Sequence, residues 1–122
     1  MGYESTLFVV EKRKTVSQMA DGTKARDGDV VAMFDLRKAP SISDKMRRFP
    51  KTDIHVCVDG IETTKDLYEK PIREIPLSDA IRIIEKAIEG GGRYRRYAPC
   101  LSLLKGFDIS EWRDLVVLHY GC

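Results

Sequence analysis

Five consecutive residues, Arg93-Tyr94-Arg95-Arg96-Tyr97, interleave guanidinium groups with aromatic rings directly after the run Gly90-Gly91-Gly92. Arginine presents a planar fork of donors that matches carboxylate or phosphate oxygens two at a time, and an exposed tyrosine ring can stack on a nucleobase. The same spacing permits a plainer reading. Tyr94, Tyr97, Leu101 and Leu104 stand at i, i+3, i+7 and i+10, so the tyrosines can be core residues with wet hydroxyls and the arginines a solvated outer face. A second basic cluster lies in residues 37–51, where Arg37, Lys38, Lys45, Arg47, Arg48 and Lys51 meet Asp44 alone. If both clusters share one side of the molecule, they form a patch for an acidic surface or for nucleic acid. The binding candidates are therefore Arg93, Tyr94, Arg95, Arg96, Tyr97, Arg47 and Arg48.

Other chemistry finds little footing. There is no phosphate loop, dinucleotide glycine fingerprint, paired CxxC, HExxH or GxSxG elbow. The glycine run follows a helical pattern instead of preceding one, so it lacks the helix N-terminus that stabilises phosphate in such loops. His55, Cys57, His119 and Cys122 could be drawn as a zinc set, but structural zinc takes closely spaced ligand pairs and these are scattered. Asp35, Asp53, Asp59 and Asp66 offer carboxylates with no spacing that selects a catalytic pair. No catalytic residue, metal or cofactor is assigned, and the expected activity is binding rather than catalysis.

The elements that must position these residues follow from periodicity. Residues 5–12, STLFVVEK, read as a strand, and residues 13–29 as a polar connection with turns at Asp21-Gly22 and Asp27-Gly28. Residues 30–36, VVAMFDL, read as a central strand covered on both sides or by its neighbours, with a short helix as the rival reading. After Pro40, Ser43 or Asp44 can cap one or two turns carrying Met46 and Phe49. Ile54, Val56 and Val58 alternate with His55, Cys57 and Asp59 as in a half-buried strand, Asp59-Gly60 is a hairpin turn, and residues 61–68 return as an edge strand able to support a homodimer. Pro71 and Pro76 bound a loop. Ala80, Ile81, Ile84, Ala87 and Ile88 form the apolar stripe of a helix beginning near Ser78, with Asp79 at its positive end. A second helix covers residues 94–105, with Pro99 placed in the first turn of a helix starting near Ala98. Trp112, with Phe107 and Ile109, is expected as a lid on the core, and residues 114–120 as a buried strand.

The 122 residues, 43% apolar and 33% charged, suit one domain able to bury a core without staples. Twenty-one basic against nineteen acidic side chains leave a formal charge of +2, too small for non-specific attraction to polyanions. No stretch approaches a membrane span, the first residues lack a secretory pattern, and three scattered cysteines point to reduced thiols, so a cytoplasmic setting is expected. The predicted fold class is α+β, a mostly antiparallel sheet of four or five strands with two helices packed on one face, in the order strand, strand, strand, strand, helix, helix, strand.

Gly2-Tyr3-Glu4-Ser5 ahead of the first strand, Leu104-Lys105-Gly106-Phe107, Trp112, and the closing run Asp114 to Gly121 resemble small uncharacterised proteins encoded by phages and prophages of gut-type Firmicutes. The resemblance covers most of the chain apart from residues 13–29, and it carries no functional residue across. What it implies is a context: such proteins often block a host or defence protein stoichiometrically, as anti-CRISPR proteins do. The expected partner is thus a host or defence protein with an acidic or phosphate-rich surface, and the alternative is a nucleic acid or nucleotide gripped by residues 93–97.

Overall fold

The computed structural model describes residues 4–19, 21–66 and 70–121. Among the described residues it is an α+β fold with a four-stranded antiparallel sheet, three α-helices and a separate two-stranded hairpin. The elements in chain order are β1 (Ser5–Gln18), β2 (Lys24–Arg37), α1 (Pro40–Met46), β3 (Val56–Val58), β4 (Ile61–Thr63), β5 (Arg73–Pro76), α2 (Leu77–Glu89), a 3-10 helix (Gly92–Tyr97), α3 (Ala98–Asp108) and β6 (Leu115–Gly121). The main sheet runs β2-β1-β6-β5, so β1 and β6 are its central strands.

Centrality explains the unbroken apolar run in β1. Leu7 and Val9 point to one face, where they join Ile75 and Val117 in a core with Ile42 and Met46 of α1, Ala80 and Ile84 of α2, and Cys100 and Leu104 of α3. Phe8 and Val10 point to the other face, where they meet Leu118, Ile54, Val56 and Ile72. A strand buried on both faces needs apolar residues at every position, not at alternate ones. The molecule therefore has three layers: helices, sheet, and the β3–β4 hairpin with the segment leading into it. That segment straps the lower face. Its start pairs with β5, through Thr52 N–H donating to the Ile72 carbonyl (2.8 Å) and Glu74 N–H to that of Pro50 (2.9 Å). Its end pairs with β2, through Arg26 N–H donating to the Asp53 carbonyl (2.8 Å) and His55 N–H to that of Arg26 (3.1 Å).

Several expectations are corrected. Residues 13–29 are not a connection: β1 and β2 continue through most of them as a ribbon, paired as far as Gln18 with Lys24. Residues 13–18 of β1 are exposed, which suits their mostly polar side chains, and cross-strand bonds such as Thr15 Oγ1 to Asp27 Oδ2 (2.6 Å) hold the ribbon. Asp21-Gly22 is a turn, with Gly22 at φ +88°, whereas Asp27-Gly28 lies within β2. The strand at residues 30–36 is an edge strand, leaving Val30 45% and Met33 64% exposed. Residues 73–76, read as loop between prolines, form β5 on the edge of the sheet beyond β6. The return strand is confined to Ile61–Thr63, and part of residues 61–68 lies outside the described residues. Three α-helices stand where two were expected. α2 starts after Pro76 with no side-chain cap, so Ser78 is inside its first turn, and Ser43 is a buried residue of α1. Pro99 sits in the first turn of α3, as expected. No helix among the described residues is long and apolar enough to cross a membrane.

Candidate protein-binding face

The arginine-tyrosine segment owes its shape to two glycines and two hydroxyls. Gly91 (φ +75°) and Gly92 (φ +64°) take left-handed backbone conformations that a side chain would strain, and they turn the chain from α2 into the 3-10 helix. Tyr97 is buried at 3% exposure and donates its hydroxyl hydrogen to the Leu36 carbonyl at the end of β2. Tyr94 is half-buried and its hydroxyl accepts the Ser41 N–H of α1 at 3.1 Å. Burial pushes the Tyr97 hydroxyl above the ordinary tyrosine value, against the pull of Arg96 and Arg93. At Tyr94 burial acts in the same direction, but the bond from Ser41 and the Arg93 charge outweigh it and the value falls below the ordinary one.

With both tyrosines tied inward, the arginines face out. The Arg93 guanidinium lies over the Tyr94 ring, 5.6 Å from its centroid, and Arg96 Nε donates to the Arg93 carbonyl at 3.2 Å. Arg93, Arg95, Arg96 and Arg48 are all exposed, and among the described residues none is in an ion pair. Arg47 differs, because its guanidinium is bound to Asp44 one turn earlier in α1. The Ser41–Tyr94 bond joins the 3-10 helix to the start of α1, and seven helical residues span only about 10 Å. The segments that carry the two basic clusters are therefore neighbours in the fold at the Ser41 end of α1. Tyr97 leaves the set of candidate contact residues for the core, and Tyr94 presents only the part of its ring that Arg93 does not cover.

Two features escaped the sequence. Trp112 is 48% exposed and Ile109 88% exposed, so this knot is no lid on the core. Trp112 packs edge-on against Phe107 (centroids 6.4 Å apart) beside a shallow depression of about 270 Å³ lined by Leu103 and Gly106. Because Trp112 is the only tryptophan, its fluorescence is expected to be red-shifted and freely quenched by acrylamide, and Trp112→Ala to cost under about 1 kcal/mol in a urea melt. A blue-shifted, protected signal would restore the lid. The second feature is His55, which joins no site with His119: His119 faces the helical layer against Ser43, and His55 belongs to the hairpin layer between Asp27 and Glu62.

The chain is a small α+β fold with exposed arginines on the 3-10 helix and just past the end of α1. No protein-family model, curated protein or solved structure matches the chain.

Proposed function

We propose that this domain is a protein-binding module that docks an acidic or phosphate-rich protein surface on the face carrying Arg48, Arg93, Arg95 and Arg96. The observation that carries the reading is that Arg93, Arg95 and Arg96, on backbone that Tyr94 and Tyr97 fasten to α1 and β2, and Arg48 just past α1 are exposed and have no carboxylate partner among the described residues. Unneutralised charge projects a field that steers a partner and fixes its register, and a fastened backbone lowers the ordering cost of docking. The resemblance to small phage and prophage proteins extends the reading to a stoichiometric inhibitor of a host or defence protein. Nucleic acid is the weaker reading, because single-strand binding draws on free aromatic faces. Here Tyr97 is buried and one face of Tyr94 holds Arg93.

The test is capture of host protein by the intact chain before and after nuclease treatment, alongside a variant with Arg93→Glu, Arg95→Glu and Arg96→Glu. A nuclease-resistant protein partner is expected, with affinity about 100-fold weaker for the variant and stability changed by less than about 0.5 kcal/mol. A partner held equally by the variant would move the docking face elsewhere. Loss of the partner on nuclease treatment would favour the nucleic-acid reading.

A further inference from the structure

His55 is wedged between two carboxylates from different layers. Nε2 lies 2.8 Å from Asp27 Oδ1 on β2, and Nδ1 lies 2.5 Å from Glu62 Oε2 on β4. A neutral imidazole has one N–H and one lone pair, so only the imidazolium can donate to both oxygens at once. The two arms are unequal. Asp27 is anchored, since its other oxygen accepts from Thr15 Oγ1 at 2.6 Å and the Ser17 hydroxyl adds a further bond. Glu62 is 47% exposed and stands opposite Cys57 on the small hairpin. Asp27 and Glu62 are the charged groups that act on the ring; Arg26 Nε pairs with Asp53 at 3.4 Å, and from β1 Thr15 and Ser17 bond to Asp27. Burial disfavours the charged ring, but Asp27 and Glu62 together outweigh it and raise its pKa above the ordinary histidine value.

We propose that His55 is a proton-operated latch that fastens the β3–β4 hairpin to the β1–β2 ribbon. Charged, the ring bridges Asp27 and Glu62. Once its proton leaves to solvent, a single N–H remains; it stays with the anchored Asp27, and Glu62 faces a lone pair and turns to water. The strap is still held through Arg26, and Ile54 and Val56 stay packed under the sheet. What is released is the outer half of the hairpin, from Val58 through the Asp59-Gly60 turn to Thr63, whose Ile61 is already 66% exposed. Because the folded value is raised, the latch is fully closed below the ordinary histidine pKa and opens as pH rises through the folded one.

Amide hydrogen exchange followed by NMR between about pH 6 and about pH 9, corrected for intrinsic rates, reads the latch directly. Protection at Val58, Ile61 and Thr63 is expected to fall about tenfold across the range while Val9 and Val117 stay constant. At the acid end the ring should show two protonated nitrogens. In Glu62→Gln, an exposed change that leaves the fold intact, the His55 titration and the hairpin transition should move together to lower pH. In His55→Gln the transition should vanish. Constant hairpin protection in the unmodified chain, an unshifted transition in Glu62→Gln, or a ring with one protonated nitrogen at about pH 6 would each overturn the latch.

Discussion

Stability is expected to fall by about 3 kcal/mol between pH 6.5 and about pH 4 through one side chain, His119. The ring is 1% exposed; its Nε2 lies 3.2 Å from Ser43 Oγ, and its Nδ1 is buried with no hydrogen-bond partner among the described residues. Ser43 Oγ in turn lies 3.0 Å from Ser5 Oγ, so a small polar chain is sealed between β1, β6 and α1. Burial pushes the ring's pKa down to about 4, helped by the positive charge of Arg47 and opposed by Asp66. The sign follows from which state takes the proton first. Unfolded chain binds it near pH 6.5 and folded chain not until about pH 4, so the stabilisation is whole above the first value and is lost as pH falls to the second. A denaturant series at stepped pH, run on the unmodified chain and on His119→Gln, isolates the effect. The variant's profile should be flatter by about 3 kcal/mol over that interval. Parallel profiles would show that His119 is not the group responsible.

The two histidines illustrate what a linear pattern hides. Both stand in readable strand segments, yet His55 gains stability from its proton and His119 loses it, because one meets carboxylates from β2 and β4 and the other is buried against the uncharged Ser43. Those neighbours are 7 to 76 positions away in the chain. Local periodicity did reveal α2, the start of α3 at Ala98, the Asp59-Gly60 turn and the closing strand, because each is fixed by residues a few positions apart. It misjudged which strand is central. LFVV in β1 and VVAMF in β2 look equally suited to burial, and only the pairing of β1 with both β2 and β6 separates them. The candidate face was legible in its charge, and the spacing of Tyr94 and Tyr97 had already offered the rings to the core; what it hid is the partner of Tyr97, the Leu36 carbonyl 61 positions away. Trp112 was expected as part of a lid on the core, although it follows the end of α3, meets Phe107 edge-on there and stays 48% exposed.

Gly28→Ala is expected to destabilise the fold by about 2 to 3 kcal/mol, although the substitution adds a single methyl. Glycine beside aspartate reads as a turn, yet Gly28 lies inside β2 and its φ is not left-handed, so space and not conformational freedom demands it. A Cβ there would lie 2.6 Å from Val10 Cγ1 and 2.8 Å from Ile54 Cγ2. Both neighbours are fully buried in the core beneath the sheet, and Ile54 belongs to the strap that β2 holds at Arg26. The new methyl must therefore push the strap off the sheet or distort the β1–β2 pairing. Removing the obstructing group tests this account against a loss of backbone entropy or of turn geometry. Val10→Ala alone should cost about 2 kcal/mol by leaving a cavity, and the double variant should cost less than the sum of the two by about 1 to 2 kcal/mol, because the methyl added at position 28 occupies the space that Val10 vacates. Strict additivity in that cycle would mean that Gly28 is required for a reason other than the close approach of the strap.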